Sequence, residues 1–137
     1  PDLVWRPELQ AHENGARGLA GIVTMANDTE TLARRFARLF AAGQIRAIPG
    51  GHAVETGTAS APILCLTPAA AAARYDDRAV ADTPPRGYAA LQIAVTDIAV
   101  TRQILERAGV AVQRGPAGSV WVGPSDACGT VLEFLPA

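Results

Sequence analysis

Glu133 combines a residue type and surroundings that could do chemistry, because it is a carboxylate inside the apolar stretch "TVLEFL". Such a carboxylate either faces water from an edge strand or lines a site. In a site, burial raises the pKa of a carboxylate, which can then act as a base or hydrogen-bond a ligand. The structural alternative is an ion pair with an arginine, for which Arg46 and Arg114 are candidates. Glu133 is therefore a candidate ligand-binding residue and a weak catalytic candidate.

Three further side chains could accompany Glu133. The stretch "APILCLTPA" has the same shape as "GTVLEFLPA" and carries Cys65 where the later copy has glutamate. A buried free cysteine ordinarily behaves as a small apolar residue. Trp121 could stack on a ligand, although an aromatic residue in a strand more often belongs to the core. His52 follows a Gly-Gly turn, a position more typical of a surface or hydrogen-bonded histidine than of a metal ligand.

These residues are distributed over two halves of similar pattern. The first half opens with "GLAGIVTMANDTETLARRFARLFAAG" and the second with "GYAALQIAVTDIAVTRQILERAG". Each opening predicts a strand, a polar cap and a helix that ends at glycine, and three short strand-like runs follow. The pattern predicts an α+β fold of two βαβββ modules, at about 19–67 and 87–136. Residues 1–18 form an irregular lead-in, and 68–86 form a connector with a short helix and a Pro-rich end.

Composition restricts the kind of partner. The 137 residues amount to one domain, and a net charge of −1 gives no field that would attract nucleic acid or an anionic membrane. All twelve basic residues are arginine, so Schiff-base chemistry on lysine is excluded for this chain. Two cysteines without CxxC spacing predict reduced thiols and a cytoplasmic protein. Because the chain opens at Pro1 without methionine, we expect either a processed product or the C-terminal half of a longer protein.

The second half, "VTDIAVTRQILERAGVAVQRGPAGSVWVGPSDACGTVLEFLP", resembles the vicinal oxygen chelate superfamily of glyoxalases, bleomycin resistance proteins and extradiol dioxygenases. This resemblance implies a glyoxalase-like domain whose two modules form a curved, mostly antiparallel sheet cup with helices outside. In metal-dependent members, each module supplies one ligand from its first strand, typically histidine, and one from its last strand, typically glutamate. Iron, manganese, nickel or zinc held in this way binds adjacent oxygens of a substrate.

Most of the positions matched to these ligands carry side chains that do not suit a divalent metal. The first-strand positions fall at Gly21 and Ala90, which cannot ligate, and the last-strand positions fall at Cys65 and Glu133. Glu133 alone matches a typical ligand, so the resemblance implies a degenerate, metal-free site. Strand alternation places Glu133 and Gln92 inside the cup, where the small residues leave room for a ligand.

Two hypotheses of function follow. The first is a metal-free small-molecule-binding domain without a cofactor, with Glu133, Gln92, Cys65, His52 and Trp121 as candidate ligand-binding residues. The alternative is a metal-dependent lyase, isomerase or dioxygenase whose remaining ligands come from a preceding domain or a partner chain. We expect a homodimer or a preceding glyoxalase-like domain as the protein partner, and no nucleic acid or membrane.

Overall fold

A computed structural model describes residues 11–40, 43–84 and 87–137, in which eight strands form one sheet. The strands are β1 (Ala16–Met25), β2 (Ile45–Ile48), β3 (Gly51–Val54), β4 (Ile63–Leu66), β5 (Tyr88–Val95), β6 (Val112–Arg114), β7 (Val120–Val122) and β8 (Val131–Pro136). Their order is β2-β3-β4-β1-β5-β8-β7-β6. The pairs β1–β4 and β5–β8 are parallel and the other neighbouring pairs are antiparallel. The predicted α+β architecture of two βαβββ halves is confirmed.

In each half, one longer helix follows the first strand. These helices are α1 (Thr29–Ala37) and α4 (Ile98–Arg107), the last α-helix of the described residues. Each begins after an aspartate whose carboxylate accepts backbone N–H bonds of the first turn, at 2.9 Å from Thr31 in α1 and 2.8 Å from Ala99 in α4. Both helices pack on the same face of the sheet, here named the outer face. Leu32 of α1 packs with Val54 there, and Leu105 of α4 packs with Phe134.

The opposite face of the sheet, here named the inner face, is covered by the connector between the halves. The connector forms two short helices, α2 (Pro68–Tyr75) and α3 (Asp77–Val80). Their buried residues, which include Ala71, Tyr75 and Val80, form one core cluster with strand residues such as Val23 and Val131. The sequence predicted one short helix here and did not predict that it packs on the inner face of the sheet. The connector therefore fills part of the cup that the resemblance left open.

The boundaries also differ in detail from the prediction. β1 begins at Ala16, inside the predicted lead-in, and residues 1–10 lie outside the described part of the chain. No helix of the described residues is long and apolar enough to cross a membrane.

Candidate functional site

Glu133 lies on the inner face, with its side chain fully buried. Arg74 donates from Nη2 to Oε1 at 2.8 Å and from Nε to Oε2 at 3.1 Å. Tyr75 Oη and Gln92 Nε2 donate to Oε2 at 2.7 and 2.8 Å, and Ser119 Oγ donates to Oε1 at 2.7 Å. A carboxylate has about four acceptor positions, so these donors occupy all of them. Glu133 is thus a buried anion whose charge and hydrogen-bonding capacity are already satisfied.

Gln92 reaches Glu133 because β5 and β8 are parallel and place the two residues side by side. Gly21 of β1 is the neighbour of Gln92 on the other side. A Cβ atom at Gly21 would collide with Gln92 Oε1, so the glycine leaves the space that the amide fills. The prediction that Gln92 and Glu133 share the inner face agrees with this arrangement. Gly21 is the first-strand position of the first half, and the space beside it is therefore filled by the Gln92 side chain from the second half.

Arg74 and Tyr75 are consecutive residues at the end of α2. Tyr75 is fully buried, whereas the Arg74 side chain keeps 26% of its surface exposed. Burial and the Glu133 carboxylate raise the pKa of Tyr75, which therefore stays protonated as a donor. Partial burial acts to lower the pKa of Arg74, but the pKa is raised overall because the Glu133 carboxylate and the hydrogen bonds to Glu133 and Tyr75 outweigh burial. The two residues hold α2 against the inner face through one carboxylate.

Trp121 lies directly opposite Glu133 on β7 and is 5% exposed. Its ring meets the Tyr75 ring edge to face, with centroids 6.0 Å apart. The indole Nε1 is buried and has no hydrogen-bond partner in the part of the chain that the structure describes. Trp121 thus adjoins the Glu133 network but packs in the core cluster with Tyr75.

Cys65 lies on the outer face, so the prediction that it shares a site with Glu133 is wrong. It packs under α1 beside Leu32, and burial raises the pKa of its thiol. Leu64 is the residue that packs toward the inner face. Strand pairing also makes Leu64 the residue equivalent to Glu133, because Leu64 pairs with Val23 of β1 as Glu133 pairs with Gln92 of β5. The sequence alignment of the halves was displaced by one residue, which moves a side chain to the opposite face of a strand.

His52 also lies apart from Glu133. It pairs with Cys65 across β3 and β4, and its Nδ1 is 2.9 Å from Thr29 Oγ1 at the start of α1. This placement agrees with a hydrogen-bonded histidine and does not bring it to the inner face.

The arginine that pairs with Glu133 is Arg74, and the structure contradicts Arg46 as its partner. Arg46 instead lies 3.5 Å from Glu55 in an exposed pair, and Arg114 is exposed on β6. The structural interpretation of Glu133 as an ion-paired residue was therefore right in kind and named the wrong arginines. The signal that sequence reasoning missed is the "RY" pair that ends the alanine-rich stretch "PAAAAARY".

The residues at the four matched positions do not fit a divalent metal. Gly21, Leu64 and Ala90 have no ligating atoms in their side chains, and Glu133 is saturated by its donors. Across the described ranges, no group of three or more His, Cys, Asp and Glu side chains could hold a metal ion. A metal at this position would need ligands other than the residues at these four positions, and it would need the displacement of Arg74.

A cavity of about 930 Å³ lies between the start of α1 and the two connector helices. Its apolar lining includes Met25 from the end of β1, Leu32 from α1, and Ala72 and Val80 from α2 and α3. Met25, Leu32 and Val80 are buried, so they form a floor. The helices that cover the Glu133 network on one side therefore form a wall of this cavity.

Polar side chains also line this cavity. Asn27, Asp28 and Thr31 come from the start of α1, Arg35 from its next turn, and Asp77 from the first turn of α3. The pKa of Asp28 is lowered because its carboxylate accepts the backbone N–H of Thr31. A mainly apolar cavity with a few polar groups is the usual form of a small-molecule site. The sequence did not predict this cavity, since its walls come from both the first module and the connector.

Solved structures with the same fold include methylmalonyl-CoA epimerases. The epimerase from Mycobacterium tuberculosis is 18% identical, with 93% of each chain covered and a TM-score of 0.67. A Streptomyces coelicolor epimerase in complex with 2-nitronate-propionyl-CoA is 15% identical, with 88% of this chain and 96% of that chain covered and a TM-score of 0.62. A hypothetical protein from Bacillus halodurans C-125 is 16% identical, with 87% and 93% covered and a TM-score of 0.63.

No protein-family model matches the sequence, and no curated protein matches it significantly. The structural similarities confirm the glyoxalase-like fold that the sequence pattern predicted. At these identities the similarity defines the fold and leaves the chemistry to the site itself.

Proposed function

We propose that this chain is a glyoxalase-like domain that binds a small molecule without a divalent metal. The observation that carries the proposal is the state of Glu133, whose acceptor positions are filled by Arg74, Tyr75, Gln92 and Ser119. A metal ligand must offer a lone pair to the ion, and this carboxylate offers none without breaking an ion pair.

The cavity between α1 and the connector helices is the proposed ligand site. Its volume of about 930 Å³ lies within the range of about 300–1,000 Å³ that small-molecule pockets span. Its apolar floor would supply most of the binding free energy, and the polar groups at the start of α1 would orient the ligand. In this proposal Glu133, Gln92 and Trp121 support the wall of the site, and Glu133 does not touch the ligand.

Two measurements test this proposal together. Elemental analysis of the purified protein, with a thermal-shift screen in Mn(II), Fe(II), Ni(II) and Zn(II), is expected to show no stoichiometric metal and no stabilisation. A thermal-shift screen of a small-molecule library is expected to give hits that the variant Ala69→Trp loses, because Ala69 is an exposed residue of α2 that lines the cavity. Ala73→Trp, on the same helix outside the lining, is the matched control. Stoichiometric metal, or hits that survive Ala69→Trp, would contradict the proposal.

A second candidate function is favoured by the solved structures with this fold. They include epimerases in complex with methylmalonyl-CoA or 2-nitronate-propionyl-CoA. The metal-dependent enzyme that the sequence left as the alternative would need its remaining ligands from a preceding domain or a partner chain, and Arg74 would have to leave Glu133. The test is the exchange of the α-proton of methylmalonyl-CoA for deuterium in deuterium oxide with added Mn(II). Exchange that is abolished in a Glu133→Gln variant shown by circular dichroism to be folded would establish the enzyme and displace the first proposal.

A homodimer, or a preceding glyoxalase-like domain, and a cytoplasmic location remain parts of this proposal. Sedimentation of the purified chain gives the oligomeric state directly. A monomer that binds the library hits would show that the cavity needs no second chain.

A further inference from the structure

We infer that the cavity between α1 and the connector helices takes a small, mainly apolar molecule that carries one protonated amine. This inference rests on the proposed function, since it assumes that the cavity is a ligand site. It adds the chemical class of the ligand, which is argued from the floor and the charges of the cavity.

The floor sets the apolar part of the ligand. Met25 and Val80 are each 6% exposed, and Leu32 is 8% exposed. The small side chains Ala69 and Ala72 stand on the connector wall and leave the space between the helices open. A ligand without a substantial apolar body would leave this surface in contact with water, and apolar burial is the main favourable term in such a site.

The charges set the polar part of the ligand. Of the described residues that line the cavity, Asp28 and Asp77 are acidic and Arg35 is basic. Asp28 belongs to the α1 wall and Asp77 to the α3 wall, so a cation in the cavity would have one acidic residue on each side. Arg35 lies close enough to act on the Asp28 carboxylate, and its single positive charge offsets part of the charge of the two aspartates. The balance favours a cation over an anion.

The start of α1 could favour an anion instead, because backbone N–H groups and the helix dipole attract negative charge there. Asp28 already meets this demand, since its carboxylate accepts the Thr31 N–H at 2.9 Å. The hydrogen bond also holds the pKa of Asp28 low, so the carboxylate stays ionised at neutral pH. An anionic ligand would have to approach a helix start whose nearest charge is negative. The dipole therefore does not reverse the preference for a cation.

Three probes of one shape and different charge test the inference. Cyclohexylmethylamine, cyclohexylmethanol and cyclohexanecarboxylate are titrated at neutral pH and low salt, with binding followed by nuclear magnetic resonance and thermal shift. Two exposed carboxylates should make the amine bind about fivefold to tenfold more tightly than the alcohol. The carboxylate should bind most weakly. The variant Asp28→Asn, Asp77→Asn should lose the preference for the amine and still bind the alcohol, because asparagine caps α1 as well as aspartate does.

Two control variants separate this preference from general charge effects. The double substitution Asp82→Asn, Asp126→Asn makes the same charge change at exposed positions outside the lining and should leave the preference intact. Ala69→Trp should weaken binding of all three probes. Tightest binding of cyclohexanecarboxylate, or a preference for the amine that persists in the Asp28→Asn, Asp77→Asn variant, would overturn the inferred ligand class. Neither result would contradict the proposal of metal-free binding. Absence of binding by all three probes at millimolar concentration would overturn the inference, while stoichiometric metal would overturn the proposed function itself.

Discussion

The carboxylate of Glu133 accepts hydrogen bonds from Arg74, Tyr75, Gln92 and Ser119, so its role on the inner face is structural. A buried carboxylate without partners would be strongly destabilising, so the donors and the anion depend on each other. The bidentate geometry of Arg74 is the strongest of these interactions, since charge-assisted pairs are shorter and stronger than neutral ones. The network ties β5, α2 and Ser119, the residue before β7, to Glu133 of β8.

Replacement of Glu133 by glutamine should lower the free energy of unfolding by about 2–4 kcal/mol. Glutamine removes the charge that Arg74 pairs with, although Arg74 is 26% exposed and can regain contact with water, which limits the loss. Urea denaturation measures the change. The matched control is Glu55→Gln, which breaks the exposed pair with Arg46 and should cost less than about 1 kcal/mol. Equal effects of the two substitutions would contradict the structural role of Glu133.

Tyr75 should make the protein less stable in alkali. Its pKa is raised in the folded state, first by burial and then by Glu133, so the neutral form is the one that the fold stabilises. That stability is fully present below the unfolded pKa of about 10 and is lost as the pH rises above it. Because the chain has no lysine, few other groups titrate in this range.

The free energy of unfolding, measured from neutral pH to about pH 11, should fall for the native protein and fall less for Tyr75→Phe. The raised pKa of the Cys65 thiol contributes in the same direction, so both proteins are compared in a Cys65→Ala background. Parallel pH profiles of the two proteins would show that Tyr75 is not responsible.

Sequence alternation predicted the positions of Glu133 and Gln92 because each strand is regular and one of its faces is apolar. The same reasoning failed for Cys65, since the two halves were aligned by their similar endings, "LCLTP" and "LEFLP". In a strand, an alignment error of one residue is an error of face. The correct alignment of the two halves follows from which residues pair between neighbouring strands, and the sequence does not show that pairing directly.

The connector elements show what the sequence could not predict. The spacing of apolar residues and the aspartate caps predicted α1 and α4, because amphipathic periodicity is a local property. The alanine-rich stretch predicted one short helix, but alanine leaves the buried face of α2 undefined, and the four residues of α3 are too few for a periodic signal. Arg74 and Glu133 pair although they are 59 residues apart in the sequence, and no local pattern reveals such a contact.

Asp76 joins α2 to α3 in a backbone conformation that favours glycine, with φ 72° and ψ 162°. A non-glycine residue in this region costs about 1–3 kcal/mol. The aspartate offsets part of this cost, because its carboxylate caps α3 by accepting the Ala79 N–H at 2.8 Å. The turn is therefore a point where strain and capping oppose each other.

A pair of substitutions at Asp76 separates these effects. Asp76→Ala keeps the strain and loses the cap, so it should destabilise the protein by about 1 kcal/mol or more. Asp76→Gly relieves the strain, loses little as a cap, and gains some freedom in the unfolded state. The glycine variant should therefore exceed the alanine variant in stability by about 1–3 kcal/mol, as measured by urea denaturation. Equal stability of the two variants would mean that this turn is not strained in solution.

At the scale of the whole molecule, the two modules share a central pair of strands. β1 of the first half and β5 of the second are antiparallel neighbours in the middle of the sheet, each paired on its other side within its own half. The connector then fastens the halves a second time, because α2 follows β4 directly and donates to Glu133 on β8. The same fold occurs in methylmalonyl-CoA epimerases, and the function proposed for this chain rests on how its own inner face is filled.

This double attachment predicts that neither module folds alone. A chain of residues 87–137 would expose the β5 edge that pairs with β1, and it would bury Glu133 without Arg74 or Tyr75. So small a fragment has too little apolar surface to offset an unpaired charge. We expect circular dichroism of the fragment to show an unfolded chain. The full chain should unfold in a single transition, with Trp fluorescence and far-ultraviolet circular dichroism coinciding in urea. A folded fragment, or two separate transitions of the full chain, would mean that the modules are independent and that the Arg74–Glu133 pair does not couple them.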